Sequence, residues 1–518
     1  MPAVFVVLAV APVLQGAAML AAAAAAAVVL LAADPRQRAV AMIAALGCSA
    51  LAVSTLADEI PGGVAVLAGG AAAALVALAI LATLLYRRPA LLGLLAVGAI
   101  PFRVPLALGG ETASLLIPLY GVVAAGALAE AFRWLRPGRG SDALDVAERP
   151  VARRLRHVQI ALAVVVVLYA LQAVYSTDLE VALKNVCLFY APFAVLLRLL
   201  GDVDWTPARL RHGFWLVTGL AVVFAAVGFY EYASGHLLLS NAKVQESNDL
   251  KPYFRVNSLF FDPNIYGRFL ALTMIAVAAM LVWTRERRTV LLAAATLGVL
   301  WAGLVLSLSQ SSFAALLAGL AVLGVLRWKP LPVLGSIAVL AALAVGAVLL
   351  SPGSLEIDTR STASLDKATS GRFDLVSGAL SMARDRPLWG FGSGSFAERY
   401  RAREGVRSER VAAVSHTIPL TVAAEQGAIG LLAYLALMVA AFRLVFGGVR
   451  ARVRRPAPSI EDVAAAALAA AFTALVLHTF VYAAFLEDPL SWALLALAGA
   501  LAARVAAGRR AERDAVAV

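Results

Sequence analysis

Charge is what this sequence has least of: 15% of its 518 residues are Asp, Glu, Lys or Arg, while 62% are hydrophobic. A soluble domain carries roughly 25% charged and about 45–50% apolar residues. One large soluble core cannot absorb the excess, because such cores stop growing beyond ~250–300 residues. Cysteine is nearly absent too. Cys48 and Cys187 both fall in apolar blocks and read as small hydrophobes, not as a disulfide or a metal pair. The five histidines are scattered, with no two-histidine metal spacing, and there is no P-loop. Residues 1–33 contain no Lys or Arg, so the positive n-region of a cleaved signal is missing and this stretch is expected to be retained.

What is present is a recurrence of apolar blocks about as long as a bilayer is thick. Spans are expected near residues 39–57, 63–86, 90–102, 113–132, 157–175, 183–201, 213–231, 259–284, 289–306, 312–326, 331–350, 416–442, 463–485 and 489–507. Residues 2–33 add one crossing or a tight pair. The expected fold class is therefore all-α, a polytopic transmembrane bundle of about 14 spans with a tolerance of two, in which a short block such as 90–102 can be re-entrant. Residues 289–325 are too long for a single crossing at about 1.5 Å per residue, and they divide most naturally at the polar run Ser307–Ser312.

Alternate connections carry the basic charge. Seven arginines lie in 133–156 and five in 443–455, and further ones occur at Arg36/Arg38, Arg87/Arg88, Arg285/Arg287/Arg288 and Arg504/Arg509/Arg510. The intervening short links, Asp58-Glu59 and Glu487-Asp488 among them, have few basic residues. The positive-inside rule puts the basic set in the cytoplasm. The net charge of +12 is thus a topology signal and a contact for anionic lipid heads, and nucleic acid is not an expected partner.

Two connections on the opposite side are long, 232–258 and 351–415, and long loops are often functional. The second holds ten Lys/Arg against eight Asp/Glu. Phe373, Leu375, Val376, Leu380 and Met382 give it a rough helical stripe, followed by Pro387 and a glycine-rich turn at Gly390-Phe391-Gly392-Ser393-Gly394, so short helices lying over the membrane are expected. The chain divides into transmembrane helices at 1–350, an extracytoplasmic loop carrying site residues at 351–415, and C-terminal transmembrane helices at 416–518.

The polar residues that can do chemistry gather on that outer side. Arg372, Arg384 and Arg386 lie in the long loop, and His416 opens the next span. Arg255 precedes Asp262-Pro263-Asn264, and Arg268 follows one turn deeper. Guanidinium forks grip a diphosphate bidentately without a metal. A nearby histidine can take a proton from an attacking hydroxyl near neutral pH. Each has a plainer reading. Loop arginines are usually solvated, as in Arg384-Asp385-Arg386; His416 can cap a helix; Asp262-Pro263 can simply start one. His478 reads by default as a satisfied interior histidine. Arg268 and Glu425 are harder to dismiss, because a charge at that depth either snorkels or faces a wet cavity.

Three passages resemble the O-antigen ligase and polymerase family (Wzy/WaaL-like) of bacterial membrane glycosyltransferases. They are Phe254-Arg255…Phe261-Asp262-Pro263-Asn264, Gly371-Arg372 with Asp385-Arg386-Pro387-Leu388-Trp389-Gly390-Phe391-Gly392, and His416-Thr417…Glu425-Gln426-Gly427. The resemblance covers roughly residues 250–440. Ser309-Gln310 stands where the family often has Ser-Arg, and Thr417 where it frequently has Asn.

The resemblance implies transfer of a glycan from a polyprenyl-diphosphate carrier to an acceptor sugar hydroxyl, on the outer side of the bacterial cytoplasmic membrane. It implies an inverting, metal-independent reaction with no cofactor. The partners are the lipid-linked donor, a glycan or lipid-linked acceptor and membrane lipids. Arg372 is then assigned to the diphosphate with Arg268 and Arg255 assisting, His416 to acceptor activation and Glu425 to acceptor support. A Wzy-type polymerase is favoured over ligase-type single transfer. A lipid or polysaccharide transporter is the alternative from another class; it calls for broken helices in paired positions and an internal repeat, and no repeat is visible.

Overall fold

The computed structural model describes residues 2–54, 64–108, 111–135, 153–239, 242–250, 253–333, 335–336, 339, 372–404, 417–480, 482 and 484–516. Among them, eleven helices are long and apolar enough to cross a membrane. The protein is a polytopic helical membrane protein.

The first half comprises α1 (Pro2–Leu31), α2 (Pro35–Ser54), α3 (Val64–Arg87), α4 (Leu91–Ala99), α5 (Ile117–Leu135), α6 (Arg153–Ala173), α7 (Leu179–Asp202) and α8 (Pro207–Ser234). Here small residues set the packing. Ala18, Ala22 and Ala26 of α1 are buried where it meets α2 and α6. Lipid tails are as apolar as leucine, so close backbone approach and van der Waals contact, not hydrophobicity, hold such helices together. The expected span at 90–102 is instead the nine-residue α4, too short to cross. After it, a two-stranded antiparallel hairpin pairs β1 (Val104–Leu108) with β2 (Glu111–Leu115), a small exception to an otherwise helical chain.

The second half carries α9 (Ala242–Leu250), α10 (Pro263–Trp283), α11 (Arg287–Ser307), α12 (Gln310–Arg327), α13 (Arg372–Asp385), α14 (Phe396–Glu404), α15 (Ile418–Val445), α16 (Val449–Val453), α17 (Ile460–Thr479) and α18 (Pro489–Val516). Local chemistry sets their boundaries. Asp262 caps α10, its carboxylate accepting from the Asn264 N–H at 2.6 Å, and Pro263 occupies the first turn, where no N–H is needed. The long apolar run divides in the expected polar stretch: α11 ends at Ser307, Leu308 turns with φ +49°, and α12 starts at Gln310. Ser459 and Asp462 form a reciprocal capping box on α17. Most of the expected span at 331–350 lies outside the described residues.

Helices α13 and α14 have an apolar cluster of their own, separate from the bundle core. Leu375, Ala379 and Met382 of α13 pack with Phe396 and Tyr400 of α14 against Ala424 and Leu420 of α15. The 375/379/382 spacing is one face of a helix. It differs from the expected stripe at Leu380, which is 42% exposed and points away from this cluster.

Candidate functional site

Helix α15 is 28 residues long, about 42 Å at 1.5 Å per residue, more than a ~30 Å bilayer core requires. It is broken at Gly427, whose φ of +63° and ψ of −160° are open to glycine and costly for other residues. The exposed backbone of this break is satisfied by the loop at 387–396. Gly392 and Phe391 donate to the carbonyls of Glu425 and Ala424 at 2.8 and 3.1 Å, and Ala428 donates to Pro387 at 2.7 Å. From α6, Gln172 donates to the carbonyls of Trp389 and Gln426, and the Tyr175 hydroxyl to that of Trp389. Glu425 is buried, and its two carboxylate oxygens accept from the Gly394 and Phe396 N–H groups at 2.9 and 3.0 Å. Its observed partners are thus loop amides.

A second polar cluster forms where α10 and α12 begin and α17 ends, beside the segment joining α17 to α18. Arg268 and Asp488 are each 1% exposed and make an ion pair, with Tyr482 stacked 5.8 Å from the guanidinium. Two of the Arg268 nitrogens, Nε and Nη1, are buried and have no hydrogen-bond partner among the described residues. His478 Nε2 lies 3.1 Å from the Ser311 hydroxyl, while its Nδ1 is buried and has no partner among the described residues. From the other side, Arg255 donates to the Ser307 carbonyl at 3.1 Å and to the Asn264 side chain at 3.3 Å, and Ser309 donates to the same Asn264 oxygen at 3.0 Å. Burial pushes the Arg255 guanidinium below its ordinary pKa, with Asp262 opposing the shift. Arg103, just before β1, is likewise lowered by burial and feels both Asp488 and Arg268.

Arg255 therefore abuts the Ser307–Ser312 turn that holds Gln310, and the backbone at Gly267, next to Arg268, packs against Ser307, Ser309 and Ser312. Arg372 is the first residue of α13; its side chain, and all of His416, lie outside what is described. Thr417, next in the chain after His416, has its hydroxyl 3.4 Å from the Phe480 carbonyl, two residues from both His478 and Tyr482. Sequence reasoning missed Asp488, Tyr482 and Arg103. Asp488 was visible only as half of an acidic link, and its partner lies 220 positions earlier in the chain.

Below this cluster runs an apolar cavity of about 580 Å³. Phe269 and Leu490, neighbours in sequence of Arg268 and Asp488, line it, as do Thr273, Met280 and Trp283 along α10. It extends along most of that helix; Arg268 and Asp488 do not line it, and its one charged lining residue, Arg211, lies with Thr284, Thr289 and Ser459 at the end away from Phe269. Such a cavity can seat a long hydrocarbon chain.

Residues 295–435 match the family model for O-antigen ligase. No curated protein matches the chain. The matched stretch contains the Ser307–Ser312 turn, α13 with Arg372, and the Gly427 break with Glu425, whereas Arg255, Arg268, His478 and Asp488 lie outside it. The match supports an O-antigen ligase/Wzy-like family, and with the helical bundle it supports a membrane glycosyltransferase of the O-antigen ligase and polymerase type.

Proposed function

We propose that the protein transfers a glycan from a polyprenyl-diphosphate carrier to a sugar hydroxyl at the outer face of the bacterial cytoplasmic membrane, as a Wzy-type polymerase. The observation that supports this reading is the buried Arg268, two of whose nitrogens have no hydrogen-bond partner among the described residues, next in sequence to Phe269, which lines an apolar cavity with Leu490.

In the reaction, the acceptor oxygen attacks the anomeric carbon and its proton passes to His416. The bond from that carbon to the diphosphate oxygen breaks, and the electron pair leaves on the diphosphate. Attack opposite the leaving group inverts the carbon. Arg372, Arg268 and Arg255 stabilise the charge that develops, so the chemistry requires neither metal nor nucleotide. The basic connections face the cytoplasm and the long loop faces outward, which sets the site at headgroup level on the outer leaflet.

The test is the product that purified protein forms from a lipid-diphosphate-linked oligosaccharide. A ladder of lengthened chains is expected. A single transfer to a non-glycan acceptor would replace polymerase by ligase, and no transfer under any acceptor would sink the enzyme reading.

A further inference from the structure

The glycine-rich loop is held by a device whose purpose the proposed chemistry does not by itself explain. A transmembrane helix is interrupted at Gly427, and a ten-residue loop fills the gap with main-chain hydrogen bonds on both sides of the break. A Cβ at Gly390 would collide with the Glu425 carbonyl, and one at Gly427 with the Leu388 carbonyl, so the two backbones touch with no room for side chains. Buried at the centre is an ionisable residue, Glu425, that contacts two amides of the loop. A charge buried among apolar helices is costly and persists where it serves a specific purpose. Stability alone is poorly served by it, since Gln426 and Gln172, both neutral, already bond the same loop at Ser393 and Trp389.

The loop joins two helices. Helix α13 ends at Asp385, two residues before the docked segment, and α14 starts at Phe396, whose N–H is one of the two that Glu425 holds. Phe396 and Tyr400 in turn pack against Leu375, Ala379 and Met382 of α13. Fixing the loop therefore fixes the lie of α13 on α15, and α13 begins with Arg372.

We propose that Glu425 is a positioning residue: by holding the Gly394 and Phe396 amides at the Gly427 break, it sets the placement of α13 and hence of Arg372 in the reaction. This rests on the reading of Arg372 as a donor-binding group. Glu425 itself contacts neither substrate; its effect on transfer is transmitted through the loop.

The test is a double-mutant cycle on purified full-length protein, with hydrogen exchange of residues 387–400 followed alongside. Glu425→Gln keeps the volume and one acceptor oxygen, so the protein should fold, unfolding at a modestly lower temperature because one loop N–H loses its acceptor, while kcat/KM for the lipid-linked donor falls about tenfold, the factor for ~1.4 kcal/mol. Amide exchange in 387–400 should rise. In an Arg372→Lys background, which should retain measurable turnover, Glu425→Gln should cost little more, because the group it positions is already impaired. Additive losses in the cycle would overturn the proposal, as would a lowered rate with unchanged exchange or a raised exchange with an unchanged rate. If Arg372→Lys and Arg372→Ala are themselves fully active, it is the donor-site reading that fails, and the cycle separates that outcome from failure of Glu425 alone. Should Glu425→Gln not fold, Gln172→Leu, which removes side-chain donors to Trp389 and Gln426, tests the same docking from α6: an unchanged kcat/KM with a loosened loop overturns the proposal.

Discussion

Replacing Arg268 by methionine should cost both stability and activity, and the two losses can be separated. Arg268 and Asp488 are buried to the same degree, 1% exposed each, and form an ion pair. Removing one member of such a pair leaves the other charge stranded, typically at ~3–5 kcal/mol, so Arg268→Met alone should unfold at markedly lower temperature in detergent. Asp488→Asn in the same chain removes the stranded charge. It also keeps the side-chain oxygen that accepts the Leu490 N–H at 2.9 Å and so holds the start of α18. Replacing both partners of a buried pair is often neutral, so the double variant should regain most of the lost stability. Its transfer rate should not recover. Loss of a charge-assisted donor to the leaving diphosphate costs ~2.7–4 kcal/mol in the transition state, about 10²–10³ in rate. The assay is unfolding temperature and initial transfer rate for wild type, both single variants and the double. A double variant that is stable and transfers at the wild-type rate would refute the reasoning and leave Arg268 as a structural charge.

Arg372→Ala should lower transfer by about 10²–10³ in a folded protein, and Arg372→Lys should also be impaired because an ammonium cannot replace a bidentate fork; full activity in a transfer assay removes the residue from the donor site. His416→Ala should reduce turnover by about 10²–10⁴ with donor binding unchanged, and His416→Gln should be nearly as poor. The base must be neutral, so wild-type activity should fall as pH drops through the imidazole pKa, near ~6.5 if unperturbed, and a robustly active His416→Gln with the same acidic limb would show that the histidine is not the base. For topology, a cysteine at Ser364 should react with an impermeant reagent in intact spheroplasts and one at Ser141 only after lysis; the reverse pattern overturns the orientation.

Much of the frame was legible because bilayer physics writes it into composition. The polar run Ser307–Ser312 marks a break in an apolar stretch too long for one helix, and Asp262-Pro263 marks a helix start; both fall where the sequence puts them. Arg268 and Glu425 stood out because charges inside apolar blocks need partners. What the sequence could not disclose is who those partners are. Asp488 meets Arg268 across 220 residues, and Glu425 is satisfied by the amides of Gly394 and Phe396, which carry no side-chain signature at all. The break at Gly427 was hidden for a related reason: an isolated glycine inside a span looks like a tolerated helical glycine until the loop that replaces the lost hydrogen bonds is seen. Likewise 90–102 has the apolarity of a span, but the chain turns into a hairpin after nine helical residues.

The most direct measurement is made on purified protein in proteoliposomes loaded with a lipid-diphosphate-linked glycan, in excess EDTA and without nucleotide. Free polyprenyl diphosphate and new glycosidic bonds should appear in equal amounts, with inverted configuration at the transferred anomeric carbon. Movement of intact donor across the bilayer with no diphosphate released would contradict the account and favour a transporter, and activity lost to EDTA and restored by Mg²⁺ or Mn²⁺ would contradict its metal-free chemistry.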